Sequence, residues 1–167
     1  TEATTVLFDK TGTLTQGNHA IKSVQVLPVA GAGRAEPSAL ASEDQALRLA
    51  ATVEAGSQHP MALAISRASE SRGLAPFRAE EYALEPGLGV RADVWLAEGD
   101  RRRVIVGNQL FLEDHGVALG PEAQQAADSI ALRASTPVFI SVQGDPQVGV
   151  LELAESLRPE ALEAVST

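Results

Sequence analysis

Alternation of hydrophobic and polar residues predicts short strands along most of the chain. The pattern indicates strands at 20–29, 80–84, 89–96, 102–106, 136–142 and 148–153. Apolar residues three and four positions apart predict helices that start after Ser42, at Pro60, at Leu110 and at Pro121. The order is a strand, two helices, antiparallel strands, two further helices and a hairpin, which indicates an α+β domain with an antiparallel sheet flanked by helices.

The two ends of the chain belong to a different pattern. Residues 5–8 (TVLF) form a short apolar run typical of a buried strand, and Gly12 is expected to bend the chain directly after it. Asp9 would then lie at the carboxyl end of that strand, where open α/β sheets bind their ligands. From Arg158 onward the sequence predicts a helix start. We therefore expect an α+β domain inserted between two ends of another unit, in a piece of a larger protein.

Composition excludes several classes of protein. With 167 residues and 44% hydrophobic residues, the chain can bury a core of its own. The net charge of -9 argues against a nucleic-acid-binding surface, and the absence of cysteine excludes disulfides, thiolate metal sites and a cysteine nucleophile. No stretch reaches the roughly 20 apolar residues of a membrane-spanning helix. The sequence as given is therefore expected to form a soluble, cytoplasmic, monomeric unit.

The residues around Asp9 suggest phosphoryl chemistry. A carboxylate at the end of a strand can be a helix cap, a metal ligand or a nucleophile. Lys10 and the hydroxyl groups of Thr11 and Thr13 surround this carboxylate with a cation and hydrogen-bond donors. Such a set suits an incoming phosphoryl group, whose charge must be stabilised while an oxygen nucleophile attacks it.

The motif DKTGTLT at 9–15 resembles the phosphorylation motif of P-type ATPases, the membrane ion pumps. The resemblance implies that Asp9 forms an aspartyl-phosphate in a haloacid-dehalogenase-like domain, with the nucleotide-binding domain inserted after it. It also implies that Lys10 and Thr11 stabilise the transferred group. Asp9 and Thr11 would bind Mg²⁺, a site completed by residues outside this sequence. Related phosphatases carry a second Asp where this chain has Thr11, so a small phosphatase is the less favoured alternative.

The segment at 53–65 (VEAGSQHPMALAI) resembles the signature of the heavy-metal-transporting P-type pumps. On its own, Pro60 would indicate only the first turn of a helix. The resemblance implies that Glu54 and His59 hold the adenine of ATP. Gln58 replaces the Glu that usually precedes the histidine, which leaves the assignment of Glu54 and His59 unaffected.

Two glycine-containing segments complete the predicted nucleotide site. Gly87, Gly89 and Val90 lie in PGLGV, and Gly107 and Asn108 follow the next strands. On its own a Gly-x-Gly pattern usually marks a turn into a strand. In the family that this chain resembles, both segments line the nucleotide pocket.

These observations predict three parts: residues 1–15 as the start of the phosphorylation domain, 16–148 as the nucleotide-binding domain, and 149–167 as the return segment, where Glu155 replaces the usual Asp.

The resemblance implies an ATP-dependent pump at the cytoplasmic face of a membrane. Copper is the favoured ion, and zinc, cadmium and cobalt remain open. The partners would be ATP and the pump's own remaining phosphorylation, actuator and transmembrane domains, with no nucleic acid. The piece itself would bind ATP with little turnover. A stand-alone nucleotide-binding module without catalysis is the alternative.

Overall fold

The fold is taken from a computed structural model, which describes residues 19–30, 40, 42–55, 57 and 59–155. Asp9, Lys10 and Thr11 lie outside these residues, as do Gly12, Gly56 and Gln58. The predicted phosphorylation strand and the helix start at Arg158 also fall outside. The structure therefore bears on the residues between His19 and Glu155 and leaves the predicted phosphorylation motif untested.

The described residues form one antiparallel sheet and four helices. The strands are β1 (His19–Pro28), β2 (Arg78–Glu85), β3 (Gly89–Ala97), β4 (Asp100–Gly107), β5 (Thr136–Val142) and β6 (Gln147–Glu155). The helices are α1 (Glu43–Val53), α2 (Pro60–Ser71), α3 (Gln109–Asp114) and α4 (Pro121–Leu132). Strand order across the sheet is β1-β6-β5-β4-β3-β2, and every neighbouring pair is antiparallel. This arrangement confirms the predicted α+β class with an antiparallel sheet flanked by helices.

Strand β6 crosses the domain boundary predicted at 148. It pairs with β1 from Pro28–Gln147 to His19–Glu155, and on its other side with β5 from Ser141–Val148 to Thr136–Leu153. Residues 149–155 therefore belong to the same sheet as the strands before them. The division into domains stays a prediction, but this pairing favours a boundary after Glu155.

Local signals fix the starts of α1 and α2 as predicted. The side chain of Ser42 accepts a hydrogen bond from the backbone N–H of Gln45 at 3.2 Å. His59 caps α2, and Pro60 occupies its first turn, where its missing N–H costs nothing. The sequence predicts a helix from Pro121 to Ala134, but α4 ends at Leu132, because Ala134 has a left-handed backbone with φ 61°.

The helices cover both faces of the sheet. On the first face, α1 and α2 pack against alternate strand residues such as Val94, Val104 and Ile140. On the second face, α3 and α4 pack against the residues between them, including Ile105 and Phe139. The alternation follows from the two-residue period of a strand, which turns successive side chains to opposite faces.

Candidate functional site

A pocket of about 320 Å³ opens on the first face of the sheet. It lies between the end of α1, the start of α2, the turn from β2 to β3, and the adjoining ends of β4 and β5. All seven residues predicted to bind nucleotide line this pocket, which we call the Glu54 pocket: Glu54, His59, Gly87, Gly89, Val90, Gly107 and Asn108. Its volume is in the range of small-molecule sites. Residues spread over more than 50 positions are thus brought together.

Glu54 is the chemically unusual residue of the pocket. Only 1% of its surface is exposed, and its Oε2 atom has no hydrogen-bond partner among the described residues. Burial disfavours the charged carboxylate and raises its pKa to about 7. A buried polar atom without a partner destabilises the fold, so a ligand that donates a hydrogen bond here would recover that free energy.

The backbone explains how Glu54 reaches this position. It follows the last residue of α1, and its N–H still donates to the carbonyl of Ala50 at 3.0 Å. Its own carbonyl accepts from the N–H of Ser57 at 3.0 Å, which turns the chain towards α2. The short connection brings Glu54 and His59 to the same pocket, as the sequence predicts.

His59 lies at the exposed entrance of the pocket. Its Nδ1 atom accepts a hydrogen bond from the N–H of Met61 at 3.1 Å. This contact requires an unprotonated Nδ1, so the neutral ring carries its proton on Nε2, which is left to donate to a ligand. His59 therefore caps helix α2 through Nδ1 and can donate a hydrogen bond to a ligand through Nε2.

Asn108 holds the loop that contains Gly87. A hydrogen bond of 2.9 Å from Leu88 N–H to Glu85 carbonyl closes a tight turn, in which Gly87 has φ 78°. Pro before a glycine with positive φ is typical of a type II turn. Asn108 Nδ2 donates to the Gly87 carbonyl and its Oδ1 accepts from Phe111 N–H, both at 2.9 Å. Asn108 thus joins the turn to the start of α3.

Gly89 and Gly107 pair across β3 and β4, and neither position has room for a side chain. A Cβ on Gly89 would lie 2.2 Å from the Val106 carbonyl oxygen, and one on Gly107 would lie 2.2 Å from that of Leu88. Each would also meet the ring of Phe111 at 2.8 Å. These glycines therefore allow close packing beneath the pocket and leave bare backbone at its wall.

Sequence reasoning missed the apolar part of the pocket. Met61, Leu84, Leu88, Pro137 and Val138 also line it. Met61 and Leu88 lie inside the two quoted segments but have no role assigned to them there, and Leu84 belongs to no motif. Pro137 and Val138 reach the pocket only through the pairing of β5 within the sheet. A largely apolar wall beside one buried carboxyl group suits a flat ring that carries a polar edge.

A larger cavity, of about 450 Å³, lies on the second face and is lined in part by Arg103, His115 and Gln143. Among the described residues, the buried side-chain atoms without a partner are His19 Nδ1 and Glu54 Oε2. Of these, Glu54 alone lines either cavity. We therefore assign the candidate site to the Glu54 pocket despite its smaller volume.

Asp9, Lys10 and Thr11 fall outside the described residues, so the predicted Mg²⁺ site has no geometry here. Within the described ranges, no three His, Asp or Glu side chains are grouped in a way that could hold a metal ion. None of the helices in this part of the chain has the length and apolar character needed to cross a membrane.

Comparison with known proteins identifies the family. A family model described as haloacid dehalogenase-like hydrolase matches residues 3–167. The chain is 37% identical over 161 residues to the "Probable copper-exporting P-type ATPase V" of Mycobacterium tuberculosis, covering 96% of this chain and 19% of the relative. It is 34% identical to the "Copper-exporting P-type ATPase" of Vibrio cholerae, covering 96% of this chain and 16% of the relative. The chain thus spans less than a fifth of the length of these two relatives.

Solved structures show the same likeness. A zinc-transporting PIB-type ATPase in the E2P state matches 95% of this chain and 22% of its own, with a TM-score of 0.68 and 28% identity. The N-domain of HMA8, a copper-transporting P-type ATPase, matches 79% of this chain and 97% of its own, with a TM-score of 0.58 and 25% identity. The chain belongs to the haloacid dehalogenase-like hydrolase family, and the relatives whose alignments cover 95–96% of this chain are heavy-metal-exporting P-type ATPases.

Proposed function

We propose that this chain is the ATP-binding part of a metal-exporting P-type ATPase and that the Glu54 pocket holds the adenine of ATP. One observation carries the proposal. A buried carboxyl group, one oxygen of which has no partner in the part of the chain that the structure describes, lies in a pocket that all six other predicted nucleotide-binding residues also line.

The chemistry of the pocket matches the edge of adenine. The exocyclic amine of adenine is a donor, which the Glu54 carboxylate can accept, whereas guanine presents a carbonyl oxygen at the same position. When Glu54 is ionised, two facing acceptors repel each other, so above about pH 7 the pocket should prefer ATP to GTP. At the entrance, the imidazole of His59 offers a flat ring and an Nε2–H donor to the purine.

Charge directs the phosphates outward. No lysine or arginine is found among the described residues that line the pocket. A triphosphate would therefore find no positive charge inside the pocket, where Glu54 is acidic. It would extend past the turn at Gly87. There the bare backbone at Gly87 and Gly89 permits close approach of a ligand.

In the full-length protein, the exposed γ-phosphate would be transferred to Asp9. A carboxylate oxygen of Asp9 would form a bond to the γ-phosphorus while the bond from that phosphorus to the β–γ bridging oxygen breaks, releasing ADP. Lys10 and Thr11 would stabilise the transferred group, and Mg²⁺, when bound, would supply charge neutralisation. We propose copper as the exported ion, because the two curated relatives above are copper exporters. The structural match to a zinc transporter keeps zinc open.

The first experiment is a titration of the protein with ATP and GTP, followed by calorimetry or amide NMR. We expect weak binding of ATP, with a Kd of about 0.1–1 mM, corresponding to roughly 4–5.5 kcal/mol, and weaker binding of GTP. His59→Gln should bind ATP less well than the wild type, because it lacks the ring.

His59→Asn is the matched control for the role of His59 in starting α2. Asparagine is a good helix N-cap but has no imidazole. We expect it to keep the wild-type Tm and yet bind ATP as poorly as His59→Gln. If ATP binds both variants as tightly as the wild type, the adenine does not lie at His59.

A second experiment tests phosphoryl transfer. ATP labelled in its γ-phosphate should label the full-length protein covalently, and Asp9→Asn should abolish the label while leaving ATP binding in place. Binding without any label in the wild type would favour a nucleotide-binding module that lacks catalysis.

A further inference from the structure

Leu84 lies in an unusual place for a large apolar side chain. It is 69% exposed, on β2 at the outer edge of the sheet, and yet it lines the Glu54 pocket. Leu84 pairs directly with Val90, a buried residue of the first-face core, and directly paired residues share a face. Leu84 therefore points to the side of the sheet where Glu54 lies, and its surface is open to water.

A bulge in β2 explains why Leu84 faces the same side of the sheet as the core residues of this strand. The pairing with β3 shifts between Glu80 and Ala83, and Glu81 has φ 58°, a left-handed backbone that residues other than glycine rarely adopt. Ala79 and Leu84 are five residues apart, so in a regular strand they would lie on opposite faces. The extra residue lets Ala79 pack against the first-face core while Leu84 faces the pocket.

The same bulge joins β2 to the helix that carries Glu54. The hydroxyl group of Tyr82 donates to the carbonyl of Thr52 at 3.4 Å, in the last turn of α1. The position of Leu84 relative to Glu54 is thus set by the sheet on one side and by this contact on the other. Strained backbone that is held by its surroundings is often found at binding sites.

We propose that Leu84 is a nucleobase-contacting residue, which covers the base in the Glu54 pocket and loses its exposure to water when nucleotide binds. This proposal rests on the proposed function, because it names a further contact of the same site. Covering apolar surface favours binding, and Leu84 holds the largest exposed fraction among the large hydrophobic residues of the pocket.

The test compares Leu84→Ala with Leu132→Ala. Leu132 is 88% exposed at the end of α4 and lines neither cavity, so it is the matched control for removing an exposed leucine. We expect Leu84→Ala to weaken ATP binding about 3- to 10-fold and Leu132→Ala to leave it unchanged. Leu84→Met, which keeps an apolar side chain of similar size, should bind as the wild type does.

Binding of AMP separates a contact with the base from one with the phosphates. Because the base is common to both nucleotides, Leu84→Ala should weaken AMP and ATP by the same factor. Unchanged binding of both, or a loss confined to ATP, would overturn the proposal. In that case a loss of affinity in His59→Gln would show that the nucleotide site itself stands. If the wild type binds neither nucleotide, both proposals fail together.

Discussion

Two buried glutamates in this domain have opposite surroundings. Glu152 on β6 is 5% exposed, and its carboxylate accepts two hydrogen bonds from Arg133, at 2.9 and 3.2 Å, and one from Ser23 at 3.2 Å. These donors hold its pKa at about 2. Glu54 is 1% exposed, its Oε2 has no partner among the described residues, and burial raises its pKa to about 7. Burial alone does not make a carboxyl group a candidate for ligand binding, whereas burial without a partner beside a pocket does.

The pH dependence of stability should separate the two residues most strongly. The raised pKa of Glu54 means that the folded state holds a proton more tightly than the unfolded state, whose pKa is near 4.5. Its contribution to stability is therefore fully present below about pH 4.5 and is lost as the pH rises to 7. Between pH 5 and pH 8, the wild type should lose up to about 2–3 kcal/mol relative to Glu54→Gln. Denaturant unfolding at both pH values measures this, and parallel losses in the two proteins would contradict it.

The sign is opposite for Glu152. Its pKa is lowered in the folded state, so its stabilisation is present above about pH 4.5 and is lost as the pH falls towards 2.

At neutral pH, Glu152→Ala should lower the free energy of unfolding by about 2 kcal/mol, because it removes hydrogen bonds to a charged group. Nucleotide affinity should not change. Glu98→Ala, in the exposed turn between β3 and β4, is the control and should be neutral. Equal unfolding midpoints for the two variants would show that the Arg133 contact contributes little.

Glu54→Gln should change nucleotide preference by a smaller amount. The amide keeps an acceptor for the adenine amine but loses the charge, so ATP should bind about 5- to 10-fold more weakly. Its new N–H₂ group can donate to the guanine carbonyl, so GTP should bind at least as well as before. Calorimetric titration with both nucleotides measures the ratio. An unchanged ATP-to-GTP ratio would mean that Glu54 does not contact the base edge.

The smallest effect is expected at a third glutamate, where the backbone rather than the carboxylate is unfavourable. Glu81→Gly should stabilise the fold by about 1 kcal/mol, because glycine adopts φ 58° without steric cost. Glu80→Gly is the control at the neighbouring position. Glu80 has no left-handed backbone, so glycine relieves no strain there and should destabilise the strand. Thermal unfolding compares the two, and destabilisation by both would show that Glu81 is not strained.

Much of this fold could be predicted because its signals are local. Ser42, with Gln45 three residues later, and Pro60 fix two helix starts, and the alternation along β3 and β5 gives both strands. The motif around Glu54 and His59 likewise predicts which residues meet. The bulge at Glu81 could not be predicted, since no glycine marks its left-handed position. The pairing of β6 with β1 could not be predicted either, because the pairs run from Pro28–Gln147 to His19–Glu155 and join distant parts of the chain. The predicted pocket also lacked Val138, which reaches it only through strand pairing, and Leu84, which belongs to no motif.

The pairing of His19 with Glu155 has a mechanical consequence. The chain enters and leaves this domain on adjacent strands, whose backbones lie about 5 Å apart. Anything attached outside these two residues is therefore connected to the sheet at one point of its edge. In the proposed function, a nucleotide held in the Glu54 pocket would therefore reach Asp9 through movement of the whole sheet relative to this one point, with the pocket residues staying together.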